Sequence, residues 1–455
     1  LKGGRCNSDA IDNSAGVNTS DVEVNIKIAL APAVRSGRLP EGERLRLLKE
    51  MTDDIATLVL RNNYQQTLAI SLEELRGREN LANQMRLMAE LEERGLLDRD
   101  VEDLPDDATL EARAADGHGL TRAEIGTLLA FSKIALFNGL CDSAVPDDPY
   151  LARELFRYFP EPMRGPFAAE IEAHRLRREI IATQLSNSVV NRGGPTLLVA
   201  ARDRTGAPVA DLTRAYAAVR DSFALQALHA EIDALDAKIS GRLQLELYAT
   251  VQDVLVDRLG WFTRNLDPSA GLAEIVDHYK AALDELYGIL PGLLSREQAK
   301  AIQDTEHRLK AGRVPAGLAA RLAMLPTLAR ASDVVPIADR TGREVAEAAS
   351  SFFAVAGRFG FARIDAMIEE LRPIDYYESL ALQKARDSLE AAHRDLARGL
   401  LLNGGAPTDV AAWESAAGDR IASTAEQVER ILTDRRPSMA KVTVAASLLS
   451  ELARG

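Results

Sequence analysis

Cysteine is scarce in this sequence of 455 residues, which contains only Cys6 and Cys141, far apart in the chain. Neither thiol has a Cys or His neighbour at the spacing of zinc ligands, so we expect neither a disulfide framework nor a metal site. Two isolated thiols in a chain of this length are typical of a reducing compartment and predict a cytoplasmic location. Aromatic residues make up only 5% of the sequence, so the core must consist mainly of Leu, Ala, Val and Ile.

Motifs that bind nucleotide phosphates are also absent. The sequence contains no G-x-G-x-x-G fingerprint and no G-x-x-x-x-G-K-[ST] loop, so it carries no dinucleotide or nucleotide phosphate cradle of its own. It contains no G-x-S-x-G nucleophile elbow either. The six histidines are scattered without H-x-x-x-H or H-E-x-x-H spacing, and we expect each of them to be a packing or surface residue.

The sequence lacks an excess of basic residues and lacks long apolar runs. Its net charge of −13 argues against a protein that binds nucleic-acid phosphates. No run approaches 18 apolar residues, and the N-terminus has no signal pattern, so we predict no membrane partner. Hydrophobic residues at 46% and charged residues at 27% are typical of a globular protein with two to four domains.

Most of the sequence has the apolar periodicity of amphipathic helices. A break at Gly37-Arg-Leu-Pro40 precedes predicted helices over 43–62 and 71–95, the second opening on a Ser71-x-x-Glu74 capping box. Another capping box, Thr121-x-x-Glu124, precedes a further helix. Helices are also predicted over 170–191 and, as one or two elements, over 221–264. The fold class is therefore mainly α, with multi-helix bundles.

The tetrapeptide Asp203-Arg-Thr-Gly206 recurs as Asp339-Arg-Thr-Gly342, 136 residues later. Its Gly suits the position that ends a helix, and Thr341-x-x-Glu344 is predicted to cap the next helix. Chance recurrence of a short turn is the alternative to a duplication. Apolar residues at the same offset favour an internal duplication of a helical subdomain. The matched pairs are Tyr216 with Phe352, Val219 with Val355, Phe223 with Phe359, Ile232 with Ile368 and Leu235 with Leu371.

Residues 9–25 are rich in small polar side chains and run directly into an apolar segment. Asn13 offers an amide, and Gly16 permits a positive φ or the close approach of a ligand. Ser20 and Glu23 form an S-x-x-E pair that predicts a helix start, where free N–H groups suit a carboxylate. A simple helix cap and a binding segment both fit these residues. The apolar residues over 22–30 fit a strand or a helix, and the capping pair with Pro32 favours a helix.

This stretch resembles the large bacterial NAD-specific glutamate dehydrogenases. The resemblance rests on Lys2-Gly-Gly-Arg5, on Asp9-Ala-Ile-Asp-Asn-Ser-Ala-Gly-Val17 and on Ser20-Asp-x-Glu-Val-Asn-Ile-Lys27, which match the end of the catalytic region of that family. The helical C-terminal part of the same family is matched by Phe131-Ser-Lys-Ile134, Tyr158-Phe-Pro160 and His174-x-Leu-x-Arg-Glu-Ile-Ile181. The resemblance implies a C-terminal piece of an enzyme that uses NAD to convert L-glutamate to 2-oxoglutarate and ammonia.

Smaller members of the superfamily share an N-A-G-G-V-x-x-S-Y pattern, which assigns roles by resemblance. Asn13 resembles the asparagine that reaches the nicotinamide region, and Gly16 lies beside it as the second expected cofactor-binding residue. Val17 resembles the valine that lines the pocket for the glutamate side chain. Ser20 resembles the serine that hydrogen-bonds the side-chain carboxylate of glutamate. Their substrate-binding and cofactor-binding roles are thus implied, with no catalytic residue among them.

The sequence departs from that pattern at Ser14, Ala15 and Asp21, and the direction in which Asp21 points stays open. In the family, the substrate lysines and the acid/base aspartate lie upstream, so we expect this chain alone to be inactive and to need the upstream catalytic domain as a partner. We predict four segments, 1–37 from the catalytic region, a helical subdomain over 38–195, and helical repeats over 196–330 and 331–455. A homo-oligomer is expected, and a free-standing all-α interaction module is the alternative.

Overall fold

The computed structural model describes residues 6–267, 269–373, 375–403, 406–434 and 436–454. The motif Lys2-Gly-Gly-Arg5 lies outside these ranges. Within them the chain folds into helices and forms no β-strand, which confirms the mainly α prediction. The segment predicted to belong to the catalytic region, 1–37, is helical wherever it is described, apart from short turns.

The first half of the chain contains short helices joined around three long ones. These helices are α1 (Asp9–Asp12), α2 (Ser14–Arg35), α3 (Glu41–Glu50), α4 (Thr52–Arg76), α5 (Leu81–Glu93), α6 (Asp107–Ala115), α7 (Arg122–Cys141), α8 (Ala152–Tyr158), α9 (Glu161–Arg164), α10 (Ala168–Glu172), α11 (Arg177–Gly193), α12 (Leu197–Thr205) and α13 (Val209–Ser222). Single 3-10 turns occur at Gly77–Asn80, Val145–Asp147 and Pro149–Leu151.

The second half is built from longer helices. These are α14 (Leu225–Asp233), α15 (Gly241–Asn265), α16 (Leu272–Leu293), α17 (Arg296–Ala311), α18 (Ala316–Ala331), α19 (Val334–Thr341), α20 (Val345–Phe359), α21 (Phe361–Glu370), α22 (Tyr376–Asn403), α23 (Val410–Ala417), α24 (Asp419–Thr433) and α25 (Met439–Arg454).

The chain divides into two compact units, and the first comprises Leu1–Ala218 with Phe262–Ala273. Its centre is the packing of α4, α7 and α11 against one another, and α2 packs on α4. Of the described helices, α7 is long and apolar enough to span a membrane by length and composition alone. A core helix passes the same test, and the complete burial of Leu128, Leu129 and Leu140 assigns α7 to the core.

The second unit comprises Val219–Trp261 and Glu274–Gly455, with α22 packed against α20 and α25. Its centre holds a charged group, because the Arg258 side chain is fully buried. Arg258 pairs with Asp257 at 2.8 Å and Glu390 at 2.7 Å, and lies 3.8 Å from Asp333. The indole of Trp261 is fully buried and donates to Asp333 at 2.6 Å.

Helix bounds support the predicted duplication. Helices α12, α13 and α14 correspond to α19, α20 and α21 at the same 136-residue offset. The ends of α12 and α19, at Thr205 and Thr341, differ by this offset, and so do the starts of α13 and α20, at Val209 and Val345. Gly206 and Gly342 both have positive φ, as predicted for a helix-ending glycine. Four of the five matched apolar pairs are buried in both members, and only Leu371 in the fifth is partly exposed.

The predicted capping boxes had mixed outcomes. Thr121 has an extended backbone, and both reciprocal hydrogen bonds with Glu124 form, so this helix start is confirmed. Ser71 and Thr341 lie inside α4 and α19, and those two predictions were wrong. Their hydroxyls donate back to the preceding turn, Ser71 to the Thr67 carbonyl at 2.9 Å and Thr341 to the carbonyl of Ile337 at 2.8 Å.

Candidate functional site

The four residues predicted to contact substrate or cofactor lie on one face of α2. Asn13 occupies the N-cap position, and Gly16, Val17 and Ser20 follow at spacings of three, one and three residues. Residues separated by three, four and seven positions share one helix face. All four are exposed, and Val17 has 65% of its surface in solvent. The structure therefore collects the four residues into a solvent-facing stripe, which we call the α2 stripe.

Ser20 does not begin a helix, contrary to the prediction. Helix α2 starts at Ser14, so Ser20 lies in its interior and the pair with Glu23 is not a capping box. Glu23 instead forms an exposed ion pair with Lys27, at 2.6 Å. The free N–H groups of a helix belong to its first turn, which here surrounds Ser14. The expected support of a carboxylate at Ser20 by free N–H groups is therefore wrong, and only the Ser20 hydroxyl itself is available.

The polar groups of the α2 stripe are free to bind a ligand. The Asn13 side chain makes no capping hydrogen bond, and within the described ranges the Ser20 hydroxyl has no partner. Gly16 is helical and does not have positive φ, which removes one of its two expected uses. A Cβ on Gly16 would meet only Asn13 Oδ1, at an ordinary 3.5 Å, so packing does not require glycine there. Close approach of a ligand remains the interpretation of this glycine.

The opposite face of α2 fixes the orientation of the stripe. Val22, Ile26, Leu30 and Ala33 are at most 3% exposed and follow one another at intervals of three or four residues. Complete burial of a side chain such as Ile26 contributes about 1.5–3 kcal/mol relative to leaving it in water. This apolar face packs on α4 and α10 and so turns Asn13, Val17 and Ser20 outward.

Two of the motifs that carry the family resemblance meet α2 at Asn25. The Asn25 amide donates to the Tyr158 hydroxyl at 2.8 Å, and its backbone carbonyl lies 3.2 Å from His174 Nε2. We call Asn25, Tyr158 and His174 the Asn25 clamp. His174 is one of the six histidines expected to be packing or surface residues, and at 5% exposed it is a packing residue. Tyr158 and His174, which follow Asn25 by 133 and 149 positions, thus hold the helix that carries the α2 stripe.

The hydrogen bonds of His174 define its protonation state. Its Nδ1 accepts from the backbone N–H of Leu176 at 3.1 Å, so the ring proton resides on Nε2 and is donated to the Asn25 carbonyl. Burial lowers the pKa of His174, although the hydrogen bond to Asn25 opposes that change. The clamp therefore uses a neutral imidazole, and a proton on Nδ1 would break the bond to Leu176.

Asp21, whose direction the sequence left open, is exposed near the clamp. Burial and, to a smaller extent, the charge of Asp21 raise the pKa of Tyr158 to about 12, so Asp21 lies close to that hydroxyl. At a spacing of four residues from Val17, it flanks the stripe on the side of Tyr158. The Tyr158 hydroxyl consequently stays protonated at neutral pH and acts only as a neutral hydrogen-bonding group.

A second polar cluster lies at the junction of α1 and α2, and its members share no motif. Gln66 of α4 donates to Ser14 Oγ at 3.2 Å and accepts from Lys133 Nζ of α7 at 3.1 Å. Asn63 donates to Ser14 Oγ at 2.9 Å and to the Ile11 carbonyl at 3.0 Å. Lys133 belongs to the quoted motif Phe131-Ser-Lys-Ile134, but its partner Gln66 is 67 residues away, so spacing along the chain could not reveal the pair.

Comparison with known families matches two parts of the chain. A family model described as glutamate dehydrogenase, C-terminal, matches residues 117–451. A second model, described as bacterial NAD-glutamate dehydrogenase, catalytic domain, matches residues 1–73. The second match contains the α2 stripe and Gln66, whereas Tyr158, His174 and Lys133 fall in the first.

Similar curated proteins come from several bacteria. The NAD-specific glutamate dehydrogenase of Pseudomonas aeruginosa is 37% identical over 417 residues, which cover 90% of this chain and 25% of that protein. The protein of the same name from Mycobacterium tuberculosis is 31% identical over 462 residues, covering 100% of this chain and 28% of the relative. The chain thus spans about a quarter of the length of the curated relatives it matches. With most of its residues matched by the C-terminal family model, the chain belongs to the glutamate dehydrogenase family.

Proposed function

We propose that this chain is the C-terminal part of an NAD-dependent glutamate dehydrogenase and that the α2 stripe forms one wall of its substrate cleft. The parent reaction would be oxidative deamination of L-glutamate to 2-oxoglutarate and ammonia. The observation that carries this proposal is the arrangement of Asn13, Gly16, Val17 and Ser20 on one exposed helix face with unoccupied polar groups. A face of this kind suits contact with a ligand held by another part of the enzyme.

The chemistry of the stripe fits its assigned ligands. Ser20 supplies a free hydroxyl that can donate to a carboxylate, and Val17 supplies an exposed apolar surface for the methylene groups of glutamate. At the other end, the Asn13 amide can pair with a carboxamide, and Gly16 has no side chain to obstruct a planar ring. NAD, when bound, supplies the acceptor for the hydride that leaves Cα of glutamate.

None of the four residues of the α2 stripe has a side chain that exchanges a proton with the substrate at neutral pH. Its groups can orient the substrate and cofactor, while hydride transfer and imine hydrolysis need acid/base groups from another part of the protein. We therefore propose that the purified chain alone does not oxidise glutamate. NADH formation from glutamate by the isolated chain would contradict this.

The decisive test is Ser20→Ala in the full-length enzyme. Loss of one hydrogen bond to a charged carboxylate is worth about 1.5–3 kcal/mol, so kcat/KM for glutamate should fall by about 10- to 150-fold. The KM for NAD should change much less, because Ser20 is assigned to glutamate. Asn13→Ala should show the opposite preference and mainly raise the KM for NAD.

Ser36→Ala is a matched control, since Ser36 is also exposed, lies at the C-terminal end of the same helix and has a hydroxyl that donates to the Ala33 carbonyl at 3.1 Å. It should leave both KM values unchanged. An all-α interaction module without a catalytic role predicts that Ser20→Ala behaves as Ser36→Ala does. Equal kinetics for these two variants would therefore overturn the proposal.

A further inference from the structure

Lys133 is a cation without an anionic partner at the α1–α2 junction. Its ammonium donates to Gln66 Oε1 at 3.1 Å, and within the described ranges it forms no ion pair with a carboxylate. Arg113 and Arg122 of the same unit, by contrast, pair with carboxylates, Arg113 with Glu124 at 2.9 Å and Arg122 with Glu74 at 2.8 Å. Lys133 is therefore a partly buried amine whose hydrogen-bond partner among the described residues is a neutral amide.

The environment of Lys133 disfavours the charged amine. Burial alone lowers its pKa to about 7, and no neighbouring charge contributes to that change. A desolvated ammonium is stabilised strongly by an anion at hydrogen-bond distance, because the surrounding protein screens the attraction less than water does. A neutral amide such as Gln66 supplies only a dipole. The site thus has an unmet preference for negative charge.

The donors of the cluster are arranged around the Gln66 amide. Ser14 Oγ accepts from both Asn63 and Gln66, which leaves the Ser14 hydroxyl hydrogen free to donate. The Lys133 ammonium has three donors and uses one of them on Gln66. Free donors are therefore present on both sides of a single side-chain amide, and a carboxylate has nearly the same two-atom spacing as that amide.

The cluster is accessible from solvent. Ser14, Asn63 and Lys133 each retain part of their surface in water, whereas Gln66 is only 8% exposed. The buried Gln66 is held in place by its bonds to both neighbours, so the two free donors are preorganised.

We propose that Lys133, Ser14 and Gln66 form a binding site for the carboxylate of a small organic acid, distinct from the α2 stripe. The Lys133 ammonium supplies the positive charge, and the Ser14 hydroxyl supplies a second hydrogen bond. Gln66 holds both donor groups in position through its own hydrogen bonds to them. Ser14 begins α2, so an occupant of this site touches the same helix that carries Asn13 and Ser20. The site does not depend on the proposed role of the stripe, because it stands on different side chains.

The site can be tested by competitive acetylation of lysines followed by peptide mass spectrometry. Lys133 should react with an apparent pKa near 7, and the exposed Lys280 should serve as an internal control for reagent and pH. Saturating acetate or glutarate should slow the acetylation of Lys133 about tenfold at about pH 6, below both pKa values, because an opposing charge raises an amine pKa by about 1 or more. Lys280 should not respond to either acid.

Ser14→Ala is the matched variant, because it removes one donor and leaves the labelled amine in place. Protection by acetate or glutarate should then require at least about five times more acid, as expected for loss of one hydrogen bond of about 1 kcal/mol. Acetylation of Lys133 that ignores both acids would overturn the proposal. Complete protection of Lys133 in the full-length enzyme without added acid would also overturn it and assign the negative charge to a protein carboxylate.

Discussion

The Asn25 clamp makes a quantitative prediction about the stability of α2. Tyr158→Phe removes the hydroxyl that accepts from the Asn25 amide at 2.8 Å and keeps the ring, which packs edge-on against Phe159 at a centroid distance of 5.2 Å. The second attachment of α2 to this region, from His174 to the Asn25 carbonyl, is unchanged. The substitution therefore isolates one hydrogen bond between distant parts of the chain.

The size of the effect follows from the burial of that bond. Tyr158 is 8% exposed, and Asn25 Oδ1 is buried without a partner among the described residues, so water does not easily replace the lost acceptor. Leaving a buried donor unsatisfied costs about 1–3 kcal/mol, and the remaining solvent access of Asn25 places the expected cost at about 1–2 kcal/mol. Such a loss increases the population of an opened α2 by about 5- to 30-fold.

Amide hydrogen exchange monitored by mass spectrometry measures this opening directly. Exchange of peptides covering 22–33 should accelerate in Tyr158→Phe, whereas peptides of α22 should be unaffected. Tyr287→Phe is the matched control, since Tyr287 is 38% exposed and lies in the second unit. The reasoning fails if exchange over 22–33 is the same in Tyr158→Phe as in the unsubstituted protein, or if Tyr287→Phe accelerates it equally.

Two further predictions concern the second unit. His393 stacks between Phe352 and Phe361, and burial lowers its pKa to about 4. The unit should therefore lose stability as the pH falls from about 6.5 towards 4, because the unfolded chain binds a proton in that range and the folded chain does not. Urea midpoints at pH 7 and 5 measure this loss, and His393→Gln should reduce it. Arg258→Met should destabilise the unit by about 3–5 kcal/mol, because it removes the fully buried cation that pairs with Asp257 and Glu390. Arg363→Met, which removes an exposed surface pair, should shift the urea midpoint little and thereby reveal whether burial determines the cost.

The helical fold could be predicted because it depends on periodicity, which the sequence displays directly. The apolar residues over 22–30 fit a strand as well as a helix, and the helix is favoured by the Ser20 pair and Pro32. Helix α2 is indeed a helix that ends before the break at Gly37, but it begins at Ser14 and contains Pro32. Capping boxes were less informative, because S/T-x-x-E also arises inside helices. Thr121 caps its helix since its backbone is extended, with ψ of 163°, whereas Ser20 and Ser71 continue a helix that began earlier.

The candidate site was only partly predictable for a different physical reason. Resemblance located Asn13, Gly16, Val17 and Ser20, and helical geometry then explains why they share a face. The clamp and the Lys133 cluster depend on contacts between residues 49 to 149 positions apart, which neither periodicity nor motif spacing encodes. Both became visible only when the packing around α2 was known.

The two predicted repeats meet at one carboxylate of the second unit. Arg258 lies in the first predicted repeat and Arg394, 136 residues later, in the second, and both pair with the carboxylate of Asp333. A cut at 330, between the predicted repeats, would separate the fully buried Arg258 from Asp333 and Glu390. Either repeat expressed by itself should therefore be unfolded, whereas 219–455, which keeps all four of these side chains in one chain, should fold.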